Sequence, residues 1–172
     1  MTAPALDPLV EFIRSTRLSE VFRNEVAWLW PLCESLHFLG LSLLIGTAGF
    51  FDLRLLGFMK GVPLRSAKWF VPWAMVGFAV NLLTGLIFFI SQPQQYATNL
   101  AMWLKVLFLL VAGINAMLFE TSFSDRLMAL EPDADMPLSA KVVAAVSLIS
   151  WFAVLYFGRM LPYLDPNPQS GV

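Results

Sequence analysis

Four stretches of the chain, 26–51, 69–90, 100–119 and 142–161, run almost without charge. About 20 helical residues cross the roughly 30 Å of hydrocarbon in a bilayer, and each stretch is long enough. In lipid the backbone is satisfied only in helices or closed barrels, and continuous apolar runs of this length predict helices. Ahead of them lies "ALDPLVEFIRSTRLSEVFRNE". Leu6, Leu9, Val10 and Ile13 fall at helical spacing there, and Leu18, Val21 and Phe22 repeat the pattern after "STR". This predicts one or two short amphipathic helices lying in the membrane interface. Asp7-Pro8 is the expected start of the first, and Ser19 the expected cap of the second.

The expected architecture is all-α: an integral-membrane antiparallel four-helix bundle with an N-terminal amphipathic interfacial helix. Residues 1–25 form the interfacial segment and 26–164 the transmembrane domain. Residues 165–172, "DPNPQSGV", form a disordered tail. The first segment is broken by Asp7, Glu11, Arg14 and Arg17, so it does not read as a secretory signal. The first span is then the expected uncleaved anchor. Trp28, Trp30, Trp69, Trp73, Trp103 and Tyr163 lie toward span ends, as interfacial aromatics do.

The loops differ in charge. "FDLRLLGFMKGVPLRSAK" carries Arg54, Lys60, Arg65 and Lys68, and "ETSFSDRLMALEPDADMPLSAK" carries Arg126 and Lys141. "SQPQQYATN" carries none. The bias of Lys and Arg places the first and third loops in the cytoplasm and both termini on the outer side of the membrane. The three arginines of the N-terminal segment pull against this.

Composition agrees with the pattern. The 172 residues are 58% hydrophobic and 13% charged, about half the charge of a soluble domain. A net charge of −1 points to no nucleic-acid partner; the expected partners are the lipid bilayer and a second copy or another membrane subunit. The single cysteine, Cys33, excludes an intrachain disulfide and a cysteine-rich metal site.

An ionisable group inside a span costs several kcal/mol unless it is paired or faces a cavity. Glu34 and His37, the only histidine, stand three residues apart on the first span and share a face. Lys105 lies about one and a half turns into the third span, and Arg159 in the last turn of the fourth. An antiparallel bundle puts all four in its outward half, which predicts an outward polar pocket. Gly77, Asn81 and Gly85 form a stripe on the second span that permits close helix approach, with Asn81 bonding across it. Asn115, Ser147 and Ser150 are similar candidates, while Asp52, Arg54 and Glu120 read as boundary charges.

Each has a plainer reading. Lys105 and Arg159 are near enough to the interface to snorkel. Asn81 and Asn115 can be packing contacts, and Glu34 can simply bond to His37. Among chemical readings, a di-iron site needs Glu-x-x-His twice, and it occurs once. Copper or zinc on Glu34, His37 and Cys33 is poor, because Cys33 points about 100° away from Glu34. Haem b needs one axial imidazole, which His37 supplies, with Lys105 and Arg159 holding the propionates and Asn81 nearby. A proton or quinone site would use Glu34 and His37 as a titrating pair. No second histidine exists for a hydrolase triad, and "GLSLLIGTAG" sits within a span rather than in a phosphate-binding loop.

The pattern Trp28, Pro31, Glu34, His37, Gly40, followed by "FDLRLLG", "PWAMVGFAVNLLTGLIFF" and "KVLFLLVAGINAMLF", resembles a family of uncharacterised bacterial inner-membrane proteins. The resemblance covers nearly the whole chain from Leu18 to Leu161 and implies a four-span bundle with an amphipathic lead-in. It implies no activity, substrate or cofactor. Two expectations follow. The first is an outward site that binds haem or a single metal ion through His37, with Glu34 orienting the ring or relaying protons. The second is a non-catalytic subunit or transporter component in which the same residues form a buried ion-pair network.

Overall fold

The computed structural model describes residues 7–25, 28–131 and 134–164. Leu6 and the tail expected to be disordered lie outside them. Among the described residues the chain is helical, with no strand. Helix α1 (Asp7–Ser15) and α2 (Arg17–Glu20), with a π-helical turn over Val21–Glu25, precede the first long helix α3 (Leu29–Leu56). A short α4 (Leu64–Lys68) leads into α5 (Val71–Ser91), and α6 (Pro93–Thr98) into α7 (Leu100–Leu118). A π-helical turn, Phe119–Phe123, and α8 (Ser124–Met128) precede α9 (Leu138–Met160).

Four helical stretches are long and apolar enough to cross a membrane: Leu29–Leu56, Leu64–Ser91, Leu100–Met128 and Leu138–Met160. They contain the four predicted spans almost entirely. The cap of α2 differs from expectation. Thr16 is the N-cap, its Oγ1 accepting from the Ser19 amide at 3.3 Å, and Ser19 is buried inside the helix. Extended backbone at Thr16 puts its hydroxyl over the first turn; Ser19 is already helical.

The spans pair as two hairpins, α3 on α5 and α7 on α9. The hairpins meet through α3 and α9, whereas α5 and α7 do not pack along their length. Small residues set the α3–α5 crossing. A Cβ on Gly77 would stand 2.6 Å from the Gly40 carbonyl oxygen and 2.7 Å from the Leu44 nitrogen. A Cβ on Gly40 would stand 2.7 Å from Asn81 Nδ2. Only glycine at both positions permits this approach, in which backbone meets backbone.

The two ends of the bundle are closed by different chemistry. At the end that carries α1, α2 and α6, Asn99 is buried at the start of α7. Its Oδ1 accepts from the Ala101 amide at 2.9 Å, and its Nδ2 donates to the Leu161 carbonyl at 2.8 Å. One side chain therefore caps α7 and ties it to the end of α9. The opposite end carries the basic loop. Gly57, at φ 96°, ends α3 in the left-handed conformation that glycine alone adopts freely. Arg54, 1% exposed, donates from Nε to the Val62 carbonyl and closes the turn after it. Lys68 pairs with Glu120 at 2.8 Å and Lys60 with Asp135 at 2.5 Å, linking the first and third loops. An apolar cluster of Phe51, Leu55, Leu64, Ala67, Phe119, Leu127 and Ala140 lies beneath these pairs.

Candidate functional site

His37 lies about 12 Å along α3 from its start, on the face that packs against α5. Its Nδ1 is 2.7 Å from Thr84 Oγ1. Thr84 is buried, and its hydroxyl also lies 2.7 Å from the Val80 carbonyl, the usual bond of a threonine inside a helix. A hydroxyl has one hydrogen. With that hydrogen on the Val80 carbonyl, Oγ1 accepts from Nδ1–H, and Nε2 is the bare nitrogen. Phe88 packs edge-on to the imidazole at 5.6 Å between ring centres, and Trp30 packs on Phe88 at 4.9 Å. Gly85 leaves room beside the ring, since a Cβ there would come 3.8 Å from Cε1. The ring is held on one edge and carries no hydrogen-bond partner on the other among the described residues.

Lys105 approaches from α7. Its side chain lies across Gly158 of α9, where a Cβ would meet Nζ at 3.6 Å. It is close enough for its charge to act on the His37 ring. No anion pairs with it among the described residues. Asn81 stands one turn before Thr84, its Nδ2 donating to the Gly77 carbonyl of its own helix at 2.9 Å and its Oδ1 buried without a partner. It packs against Gly40 rather than bonding across the contact. His37, Asn81 and Lys105 thus come into the same region of the bundle, with three polar atoms there unused.

Glu34 and Arg159 do not join them. Both are exposed. Glu34 makes no hydrogen bond or ion pair among the described residues, so the expected Glu34–His37 bond is absent; Thr84 takes the ring instead. A turn of three residues leaves the two side chains about 60° apart, enough for His37 to face α5 while Glu34 faces out. Glu34 lies close enough to Tyr96 of α6 for its charge to act on the phenol. Burial pushes the Tyr96 hydroxyl up to about 12, and the Glu34 carboxylate adds to the shift. Tyr96 therefore stays neutral.

Thr84 was not among the expected residues, although it lies on the Gly77–Asn81–Gly85 face that predicted close packing. Asp52 is not a boundary charge. It is 5% exposed, forms a side-chain hydrogen bond with Ser147 of α9, and its Oδ2 has no partner. Asn115 ties α7 to α9 through the Val143 carbonyl at 3.0 Å, as a packing contact. Among the described residues no three of His, Cys, Asp and Glu come together, so these residues do not by themselves supply the three or four ligands of a structural or catalytic metal ion.

No family model, curated protein or solved structure matches the chain.

Proposed function

We propose that the chain is a small multi-pass membrane protein that binds a redox cofactor requiring one protein imidazole, haem, through Nε2 of His37. The observation that carries this is the Nδ1–Thr84 bond. A ligating histidine almost always donates its other ring N–H to a fixed acceptor, which sets the tautomer and orients the ring. His37 has that arrangement, and Thr84 is in turn fixed by Val80. The donor set suits a cofactor that brings its own equatorial ligands, not a bare ion that needs several side chains. Lys105 supplies an unpaired cation for an anionic group of the ligand. The side where α5 and α7 do not pack is the route in from lipid. Bound haem would supply electron transfer; His37, Thr84 and Lys105 hold and orient it.

The test is an absorption spectrum of the detergent-purified protein with haem added, beside His37→Ala. A Soret band at one haem per chain or per pair of chains, lost in the variant, supports the proposal. An unchanged spectrum in the variant overturns it.

A second reading is favoured by a different observation. His37–Thr84, Asn99–Leu161 and Asn115–Val143 each join two spans, so the polar groups also fix helix register. In a non-catalytic subunit that would be their whole role. His37→Ala would then lower the melting temperature of a colourless protein and change no spectrum.

A further inference from the structure

We propose that a groove at the basic end of the bundle, between α4 and α8, binds the headgroup phosphate of an anionic glycerophospholipid. Two adjoining clefts form it, of about 390 and 270 Å³, and they share Arg65 and Met128. The first is lined by Lys68, Trp69 and Pro72 as well, and the second extends past Leu64 and Leu130. Cations thus stand beside an apolar trough at the level where the second membrane-length stretch begins.

The two cations have different roles. Lys68 Nζ is held by Glu120 at 2.8 Å and by Ser124 Oγ at 2.5 Å. Its charge is largely answered by Glu120, and its position is fixed. Arg65 is exposed, makes no hydrogen bond or ion pair among the described residues, and carries the uncompensated charge. Its planar fork suits two phosphate oxygens. Asp125 and Arg126 of α8 are both exposed nearby in sequence and offset each other in charge.

Charge complementarity requires an anion, and the apolar walls decide which source. A free phosphate gains nothing from Pro72, Met128 or Leu130. A lipid lays its glycerol and first acyl carbons against them. Trp69 is 78% exposed at the entry to α5, where an indole sits at headgroup depth. Basic pockets at the ends of spanning helices recognise anionic headgroups in this way. The site is remote from His37 and independent of any cofactor there.

The test uses the full chain in neutral detergent with equal amounts of phosphatidylglycerol and phosphatidylcholine, retained lipid being counted by native mass spectrometry. Inorganic phosphate is added as a separate competitor. The wild type is expected to retain phosphatidylglycerol about tenfold over phosphatidylcholine, and Arg65→Gln to lower that preference about fivefold. Lys141→Gln, a cation outside the groove, should leave it unchanged. Circular dichroism melting confirms that both variants fold. The proposal is overturned if the wild type shows no preference, if Arg65→Gln keeps it, or if millimolar phosphate displaces the lipid fully.

Discussion

The two ends of the bundle treat their polar groups in opposite ways. At the basic end, Arg54 closes on Val62, Lys68 on Glu120 and Ser124, and Lys60 on Asp135. Across the bundle near α6, among the described residues, His37 is bonded on one edge only, Lys105 has no anion, and Asn81 Oδ1 has no donor. Burial of a polar atom without a partner is costly. The basic end has its own exceptions, the buried Asp52 Oδ2 and the exposed Arg65, which make no bond among the described residues; the paired groups hold the loops, and the unpartnered ones mark where a ligand is to be sought.

Breaking the paired end should cost most. Arg54→Met leaves the Val62 carbonyl without its donor and removes a side chain that is 1% exposed. A loss of about 2 to 3 kcal/mol is expected, read as a lower denaturation midpoint in detergent. Thr84→Val comes next. It removes the acceptor of the Nδ1 hydrogen at nearly constant shape, costing about 1 kcal/mol, and should weaken haem binding tenfold or more by releasing the ring. An equal affinity in this variant would mean that Thr84 does not orient His37.

Lys105→Met inverts the pattern. Replacing a half-buried charge that has no anion among the described residues by an apolar side chain of similar length should leave stability unchanged or raise it by about 1 kcal/mol, while ligand affinity falls. A large loss of stability would show that Lys105 is a structural group like those at the basic end. The smallest effect belongs to the exposed Lys60–Asp135 pair. Lys60 holds the Asp135 carboxyl below its usual 3.8. A depressed carboxyl adds stability above its unfolded value, and that stability is lost as pH falls through the folded one. Asp135→Asn should therefore match the wild type in thermal melts once pH has fallen below the folded carboxyl's lowered value and fall only slightly short of it at neutral pH, the difference shrinking further in salt.

Much of this fold is legible in the residue order, because length and apolarity alone define the spans and because Gly77, Asn81 and Gly85 mark a close contact. The partners of the polar groups are less legible. Glu34 and His37 share a helical face by count, yet the neighbour that takes the ring is a threonine 47 residues away. Spacing along one helix does not say which helix packs beside it. Asp52 reads as a boundary charge because the apolar run ends at Phe51, but α3 continues to Leu56 and carries it into the interior. Asn99 looks like a loop residue, and its second bond, to Leu161, depends on α9 ending beside α7.

The central claim is that Nε2 of His37 is bare and available. Because the chain has one histidine, nitrogen-15 NMR of histidine-labelled protein reads that ring without ambiguity. The expected spectrum shows a protonated Nδ1 and an unprotonated Nε2, with the Nε2 signal shifted or broadened on adding haem. A protonated Nε2 with Nδ1 as the acceptor, unmoved by haem, would contradict it.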